Sequence, residues 1–391
     1  MEPDEDGRDQ SSRRARGKSQ STRRRSRRTP ETLRPATIRD VAALCGLSIA
    51  TVTRVFQGSQ SVREETKARV LESADRLGYR PNSIARALST GTSNTIGVLI
   101  RSLVDPYWAE IANAIERRAG ERGCSVLLAS SQGRPDLERE KLETFFDNRV
   151  DGVIVGGVSG EPNRWPHPGR QIPTVMLLWD STPQPELLAE LSNGPLSQRL
   201  RMLPQETLPG EWLAHVSTDD AAGGALIARH LLELGHRRFA FLVPPPVRSH
   251  LLRLLGMRMA LEDAGVSFGA VLPTADTFEN GRAIATQLLR GNSPPTALVC
   301  ATDVIAVGAI SAADELGVRV PADVSIVGYD DIDLASYVNP PLTTLRNPMR
   351  QLGETALDLL LSGRAGETGA ISHRLTGVLM ARGSTGPAPI R

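Results

Sequence analysis

The sequence predicts an α/β protein, with an N-terminal helix-turn-helix and a short linking helix ahead of a two-lobed, doubly wound body. Three observations predict it. Between residues 37 and 81, three short amphipathic segments fit helices, two of them joined at a tight glycine turn. From Thr95 onward, apolar runs of strand length alternate with longer helical patterns, as in a parallel sheet with helices on both faces. These units are too many for one modest sheet, and 391 residues leave room for two lobes.

Taken in order, residues 1–36 are expected to be a disordered basic arm, since Leu33 is the one large apolar residue after Met1 and nothing offsets the ordering entropy. An arm that adds phosphate contacts and a solubilising tail fit this segment equally. Residues 37–81 then form the helix-turn-helix domain. Thr37 can cap a first helix carrying Ile38, Val41, Ala42 and Leu44 at core spacing, and Cys45-Gly46-Leu47 breaks it. Ser48 caps a second helix with Val52, Val55 and Phe56 inward, and Gly58 ends it. Ser61 and Glu64 have capping-box spacing for a third helix, with Val62, Val70, Leu71 and Leu77 facing the core. Gly78 stands where a left-handed C-terminal residue belongs.

Residues 82–94 read as a small helix, Ser83–Ser89, and a linker. In the body, 95–384, strands are expected at Ile96–Ile100, Ser125–Ala129, Gly152–Val155, Thr174–Leu178, Arg238–Leu242, Ala297–Cys300 and Ser325–Tyr329. Helices are expected near Pro106–Gly120, Asp136–Asn148, Asp220–Leu234, Leu251–Ala264, Gly281–Leu289, Val304–Leu316 and Met349–Leu361. Residues 385–391 form a tail. The leucine- and proline-rich stretch 183–212 is longer than a usual connection, and a tolerated surface insertion explains it better than a lid or an assembly surface.

Composition excludes several classes. Cys45, Cys124 and Cys300 lie too far apart in sequence for a disulfide framework or a Cys-x-x-Cys metal site, and the six histidines have no zinc spacing. No apolar run approaches bilayer length, and the N-terminus lacks a signal peptide's apolar stretch, so a cytoplasmic protein is expected, nucleoid-associated if its partner is DNA. The net charge of +2 hides an asymmetry: +5 over residues 1–36, +3 over 37–91 and −6 over the rest. A polyanion partner at one end is implied, though on charge alone phospholipid fits as well as nucleic acid.

The helix-turn-helix favours DNA. Its second helix enters the major groove N-terminus first, which presents Ser48, Ile49, Ala50, Thr51, Thr53 and Arg54 to base edges. Arg54 can bond guanine bidentately, and Ile49 or Ala50 can pack on thymine methyls. Leu88 follows this unit with no evident core to join, as does an apolar wedge that enters the minor groove.

The run Thr37-Ile-Arg-Asp-Val-Ala-Ala-Leu-Cys-Gly-Leu-Ser-Ile-Ala-Thr-Val-Thr-Arg54 resembles the DNA-binding segment of the LacI/GalR (lac repressor) family of bacterial transcription regulators. The likeness continues through Gly78-Tyr-Arg-Pro-Asn82 and Ala85-Arg86-Ala87-Leu88, and returns at Gly235-His-Arg-Arg-Phe and Thr302-Asp303. It also covers Val324-Ser-Ile-Val-Gly-Tyr-Asp-Asp331, Pro341-Leu-Thr-Thr344 and Gly353-Glu-Thr-Ala356. The resemblance implies a homodimer, in some members a tetramer, on a palindromic double-stranded operator. It makes Ser83–Ser89 a hinge helix and extends DNA contact to Thr37, Asn82, Ala85, Arg86 and Leu88. It also implies a periplasmic-binding-protein-like body with an effector in its cleft, and places the helix near Gly353–Leu361 on the dimer surface.

Effector residues carry over one at a time by the same resemblance. Arg253 matches the effector-binding arginine and Asp303 the pocket carboxylate. Tyr107 and Trp108, after Asp105-Pro106, match positions that line or stack on ligand, with core packing nearly as good an account of both. Asp180 and Phe278 are weaker carry-overs. Carboxylates, an arginine and aromatic faces suit a small polyhydroxylated or heterocyclic ligand.

Rival classes lack their features. Gly156-Gly157-Val158-Ser159-Gly160 is followed by Glu161-Pro162-Asn163 and not by an opening helix, so it is a poor phosphate loop, and it is no nucleophile elbow. Asp219-Asp220 and Asp330-Asp331 read as cap or turn residues, not as acid/base pairs. A non-enzymatic, cofactor-free repressor is expected, with a sugar or sugar derivative as effector. A nucleobase or nucleoside effector ranks second, and a ligand-binding protein with no DNA role third.

Overall fold

The computed structural model describes residues 36–59, 61–80, 92–157, 172–178, 214–244, 247–267, 269–362 and 371–390. The basic arm up to residue 35, the stretch 183–212, Asn82, Ala85, Arg86, Leu88 and Asp180 lie outside the described residues. The chain divides into two compact units near residue 82.

The first unit holds α1 (Ile38–Cys45), α2 (Ile49–Phe56) and α3 (Glu64–Arg76). Thr37 opens α1: its hydroxyl donates to the Asp40 carboxylate at 2.6 Å and its backbone N–H to the same oxygen at 2.8 Å. Gly46, at φ 64°, makes the left-handed step between α1 and α2. The Ser48 hydroxyl then accepts the Thr51 N–H at 3.1 Å, which caps α2. The Ser61–Glu64 box does not form, because α3 starts one residue after Arg63 and the Ser61 hydroxyl pairs with Ser59. The core is smaller than the spacing implies: Val41, Ala42, Cys45, Val52, Val55, Val70 and Ala74 fill it. Leu44 and Leu71 point outward at 43% and 55% exposure.

The second unit contains two six-stranded sheets. The first lobe is built on β1 (Thr95–Ile100), β2 (Ser125–Ser130), β3 (Gly152–Gly156), β4 (Thr174–Leu177), β5 (Ala214–Thr218) and β11 (Ile371–Leu375), in the order β11-β5-β4-β3-β1-β2 and all parallel. Helices α4 (Pro106–Glu121), α5 (Pro135–Asp147) and α10 (Met349–Leu361) cover it. The second lobe has β6 (Phe239–Val243), β7 (Ala270–Pro273), β8 (Ala297–Cys300), β9 (Ser325–Asp330), β10 (Thr343–Arg346) and β12 (Val378–Met380), in the order β12-β10-β9-β8-β6-β7. Only the β10–β12 pair in it is antiparallel. Its helices are α6 (Asp220–Glu233), α7 (Arg248–Asp263), α8 (Phe278–Leu289) and α9 (Asp303–Glu315). The central strands are apolar on both faces because helices cover both.

The chain crosses between the sheets three times: from Thr218 to Asp220, from Arg346 to Met349 and from Leu375 to Val378. The Asp219 N–H donates to the Leu375 carbonyl at 2.8 Å, which ties two of these crossings together. α10 is the helix that the resemblance places on the dimer surface, and one of its faces is turned inward. Its apolar face, with Leu352, Ala356 and Leu357 fully buried, packs inside the first lobe, and Asp358 pairs there with Arg118 at 2.8 Å and Arg122 at 2.7 Å.

His236 closes the second lobe over the C-terminal segment. It is fully buried, with Nδ1 3.0 Å from the Thr296 hydroxyl, and Nε2 3.0 Å from the Ser325 hydroxyl and 3.1 Å from the Gly386 carbonyl. That carbonyl can only accept, so Nε2 carries a proton, and burial favours the neutral ring. Burial, the main cause, lowers its pKa from 6.5. The unfolded state therefore binds the proton more readily, and the stability held in this ring is lost as pH falls below about 6.5. Buried carboxylates with raised pKa act in the opposite sense, so the comparison must be internal. Urea titrations from neutral to mildly acidic pH should show His236→Gln less stable at neutral pH but less acid-sensitive than the parent. Parallel pH profiles for the two proteins would refute the neutral staple.

Candidate DNA-reading helix and ligand cleft

In the first unit, α2 turns Val52 and Val55 into the core, which leaves its N-terminal residues outside. Ser48, Ala50 and Arg54 are exposed, Thr51 and Thr53 half-buried, and Ile49 is 45% exposed although it begins an otherwise well-packed helix. The Thr53 hydroxyl donates to the Ile49 carbonyl at 2.8 Å and the Ser48 hydroxyl lies 2.9 Å from that of Thr51. Among the described residues, the side chains with no internal duty are thus Ile49 and Ala50, two apolar groups on the first turn of α2, and Arg54, a guanidinium on its last.

In the second unit, the site grows from the contact between α6 and α7. These helices touch backbone to backbone, because a Cβ at Gly224 would overlap the Arg253 carbonyl oxygen and one at Gly256 the Ala221 carbonyl oxygen. The close approach sets Arg253, on the second turn of α7, against Asp220, the first residue of α6. Arg253 Nε donates to Asp220 Oδ1 at 2.9 Å, Nη1 donates to the Ala301 carbonyl at 2.6 Å, and Nη2 lies 3.6 Å from Asp330 Oδ1. Its guanidinium stacks 3.6 Å from the Tyr329 ring centroid. Asp220 also accepts from the Thr218 hydroxyl at 2.8 Å and the Tyr329 hydroxyl at 3.3 Å, and Asp330 accepts from Asn347 Nδ2 at 2.8 Å. Burial works against the Arg253 charge, but Asp220 and Asp330 together hold its pKa above the ordinary arginine value. Burial drives Asp330 well above the usual carboxylate range even with Arg253 beside it.

The first lobe contributes the loop after β1 and the start of α4. Asp105 caps α4 by accepting the Tyr107 N–H at 3.0 Å. Its pKa is pushed up to about 6, first by burial and next by Asp276 of the opposite lobe, against the pull of Arg101 and Arg253. Tyr107 is 8% exposed and lies within the field of Asp330, Arg253 and Asp220. Trp108 meets it edge to face, with ring centroids 5.4 Å apart and planes at 86°. The indole lies against the end of β3, where a Cβ on Gly156 would fall 2.7 Å from Trp108 Cζ3 and one on Gly157 would overlap the ring. The glycine pair weighed above as a phosphate loop therefore seats an indole.

The structure brings Asp105, Tyr107 and Arg253 together. Asp303 is placed nearby but fully engaged: Oδ1 accepts from the Thr344 hydroxyl at 2.6 Å and Oδ2 from the Ile332 N–H at 2.9 Å. It is completely buried, and that burial pushes its pKa up to about 7. Phe278 starts α8 with 39% of its surface exposed, and the residue of this segment that acts on the cleft is Asp276, two positions earlier. Sequence reasoning missed Asp276, Asp220, Asp330, Tyr329 and Arg101. Each aspartate doublet turns out to divide its work. Asp219 caps α6 through the Ala222 N–H while Asp220 holds Arg253, and Asp330 faces Arg253 while Asp331 takes Arg346 and Arg382, each at 2.6 Å.

Among the described residues no helix is long and apolar enough to cross a membrane, and no group of His, Cys, Asp and Glu could hold a metal ion. Residues 37–82 match the model of the bacterial regulatory proteins of the lacI family, and residues 228–385 match the periplasmic binding protein-like domain. The chain is 33% identical to the HTH-type transcriptional repressor PurR of Proteus mirabilis, over 83% of its own length and 89% of that repressor's. It is 32% identical to the ribose operon repressor of Escherichia coli K12, over 89% and 99%. Among solved structures, the lac repressor dimer bound to operator and the anti-inducer ONPF superposes with a TM-score of 0.75 at 28% identity, covering 90% of this chain and all of that one. With a helix-turn-helix in one unit and a charged cleft between the lobes of the other, the chain belongs to the lacI family of bacterial regulatory proteins, as a ligand-responsive DNA-binding repressor.

Proposed function

We propose that this repressor works in the cytoplasm, as a homodimer on a palindromic operator, and that a sugar or sugar derivative bound between the lobes sets its DNA affinity. It acts by binding and not by catalysis. One observation carries this reading: Arg253 is wired to the points where the chain changes lobes. Asp220 stands directly after the first crossing, and Asn347, which holds Asp330, stands within the second. A ligand that binds one lobe arrangement better than another therefore shifts DNA affinity by linkage. Asp105, Tyr107 and Arg253 are the proposed contacts, while Asp303 anchors the start of α9 to the β9–β10 turn. Trp108 packs the wall behind Tyr107. On DNA, Ile49, Ala50 and Arg54 read bases, Ser48, Thr51 and Thr53 support them, and Thr37 lies at the backbone. Asn82, Ala85, Arg86 and Leu88 form the minor-groove hinge. The ribose and lac relatives favour the sugar class.

The test is selection of genomic fragments by the purified protein at near-physiological salt, since the basic arm holds any DNA at low ionic strength. A sharp palindrome upstream of a few operons is expected, with Arg54→Ala relaxing one base position in each half-site. Motif-free enrichment, with and without added cell extract, would overturn specific repression.

A further inference from the structure

Between α6 and α7 the second lobe carries a groove of about 590 Å³. Small apolar residues line it, Ala221, Ala225, Gly256 and Ala260, together with Leu232 and with Met259, which is 38% exposed. Its polar side chains are few. Asp219 is occupied as the cap of α6, where it accepts the Ala222 N–H at 3.1 Å, and Arg229 and Asp263 are both exposed. A small-molecule site converges buried polar groups on its ligand, and this groove holds none. An apolar middle with charged residues beside it is instead the build of a protein interface.

The two exposed charges are unspent. Arg258, on the same helix as Asp263, pairs with Glu262 at 2.7 Å, while Arg229 and Asp263 form no ion pair among the described residues. Asp263 is also the last residue of α7, where a negative charge opposes the helix dipole. A residue type that works against its own helix, with no return inside the chain, marks a contact made elsewhere. Opposite charges on one groove make it complementary to itself. Across a two-fold axis Arg229 of each copy meets Asp263 of the other, so each pair forms twice while the apolar linings close on one another. A partner of one charge sign would satisfy only one of the two residues.

We propose that the α6–α7 groove is a contact between two copies of this chain, and that it joins two DNA-binding homodimers into an assembly of four. The contact reaches the effector site as well. Ala221 and Gly256 line the groove and also make the backbone approach that sets Arg253 against Asp220, so a second copy seated there braces that approach. Sedimentation velocity of the full-length protein counts the chains, and four are expected. Arg229→Glu sets like charges together at both symmetric positions, so the dissociation constant between homodimers should rise about tenfold or more. Adding Asp263→Arg to it should bring the four chains back. Unchanged melting of both variants shows that folding is not the cause. A thiol in the groove identifies the occupant: Ala225→Cys should alkylate slowly in concentrated protein and quickly on dilution, above the parent's own background. Two chains for the parent and both variants overturn the contact and leave the homodimer standing, and one chain throughout overturns both. Two chains that Arg229→Glu separates into one uphold the contact and overturn a homodimer on another face. Alkylation that is slow at every dilution puts another part of the same chain in the groove, and alkylation that is fast at every dilution leaves the groove open; either result overturns the proposal.

Discussion

Replacing Arg253 by alanine should cost the second unit about 3–5 kcal/mol and abolish the response to effector, because the change strands two buried carboxylates. Asp220 and Asp330 are 4% and 6% exposed, and the guanidinium is the cation that each of them faces. Arg253 also donates to the Ala301 carbonyl and lies on the Tyr329 ring, so its loss opens a void as well as a charge. Arg253→Lys should fall between, since a point-charge ammonium cannot serve Asp220, Ala301 and the ring face at once. Adding Asp220→Asn to Arg253→Ala should return part of the stability by removing one stranded charge, and it should not restore the response. Urea unfolding of the four proteins, with operator binding followed in parallel, measures both effects. Arg253→Ala unfolding at the parent's midpoint would show that the ion-pair network carries no stability. Were Arg253 an effector contact alone, this variant would keep operator binding and lose only the response. Burial changes that expectation, because the residue holds the lobe together as well as standing at the proposed effector site.

Local chemistry made much of the first unit legible. Gly46, Ser48 and Gly78 act within a turn of their own position, so their residue types alone announced the helix ends. Where a cap competes with other local bonds, as at Ser61, spacing could not tell which bond forms. Leu71 shows the limit of periodicity on a short helix: Val70, one residue earlier, takes the core position. In the body, the strongly apolar strands were visible, while β5, β7, β10, β11 and β12 were not. β5 and β11 carry polar residues such as His215, Ser217, Ser372, His373 and Arg374, and β11 and β12 pair with strands far away in sequence. The sheet crossings depend on those pairings, so the wiring of Arg253 to them was hidden. The site followed the same rule. Arg253, Asp105 and Tyr107 stood out by motif, but Asp220, Asp276 and Asp330 take their meaning from residues dozens of positions away. Read locally, Asp220 and Asp330 were cap or turn residues, as one member of each doublet is, and Asp276 carried no signal.

Gly256→Ala and Gly224→Ala should each destabilise the second unit by about 3 kcal/mol, at the upper end of overpacking costs. Elsewhere in a helix the same change would help by up to about 1 kcal/mol, since glycine is the poorer helix former. At these two positions the added methyl meets a backbone carbonyl of the facing helix, Ala221 or Arg253, and neither can swing aside as a side chain would. The helices must separate, and the first interaction to lengthen is the 2.9 Å bond between Arg253 and Asp220, which these same turns carry. Effector response should therefore weaken under conditions where the protein is still folded. Gly120→Ala is the matched control: it lies in α4, has nothing within 4 Å of a built Cβ and has no left-handed backbone, so it should leave stability equal or slightly raised. Urea midpoints for the three variants, with operator release followed below the unfolding range, decide the point. If Gly256→Ala matched Gly120→Ala in both measurements, the α6–α7 contact would be looser than the structure has it, and the close approach could not be what positions Arg253.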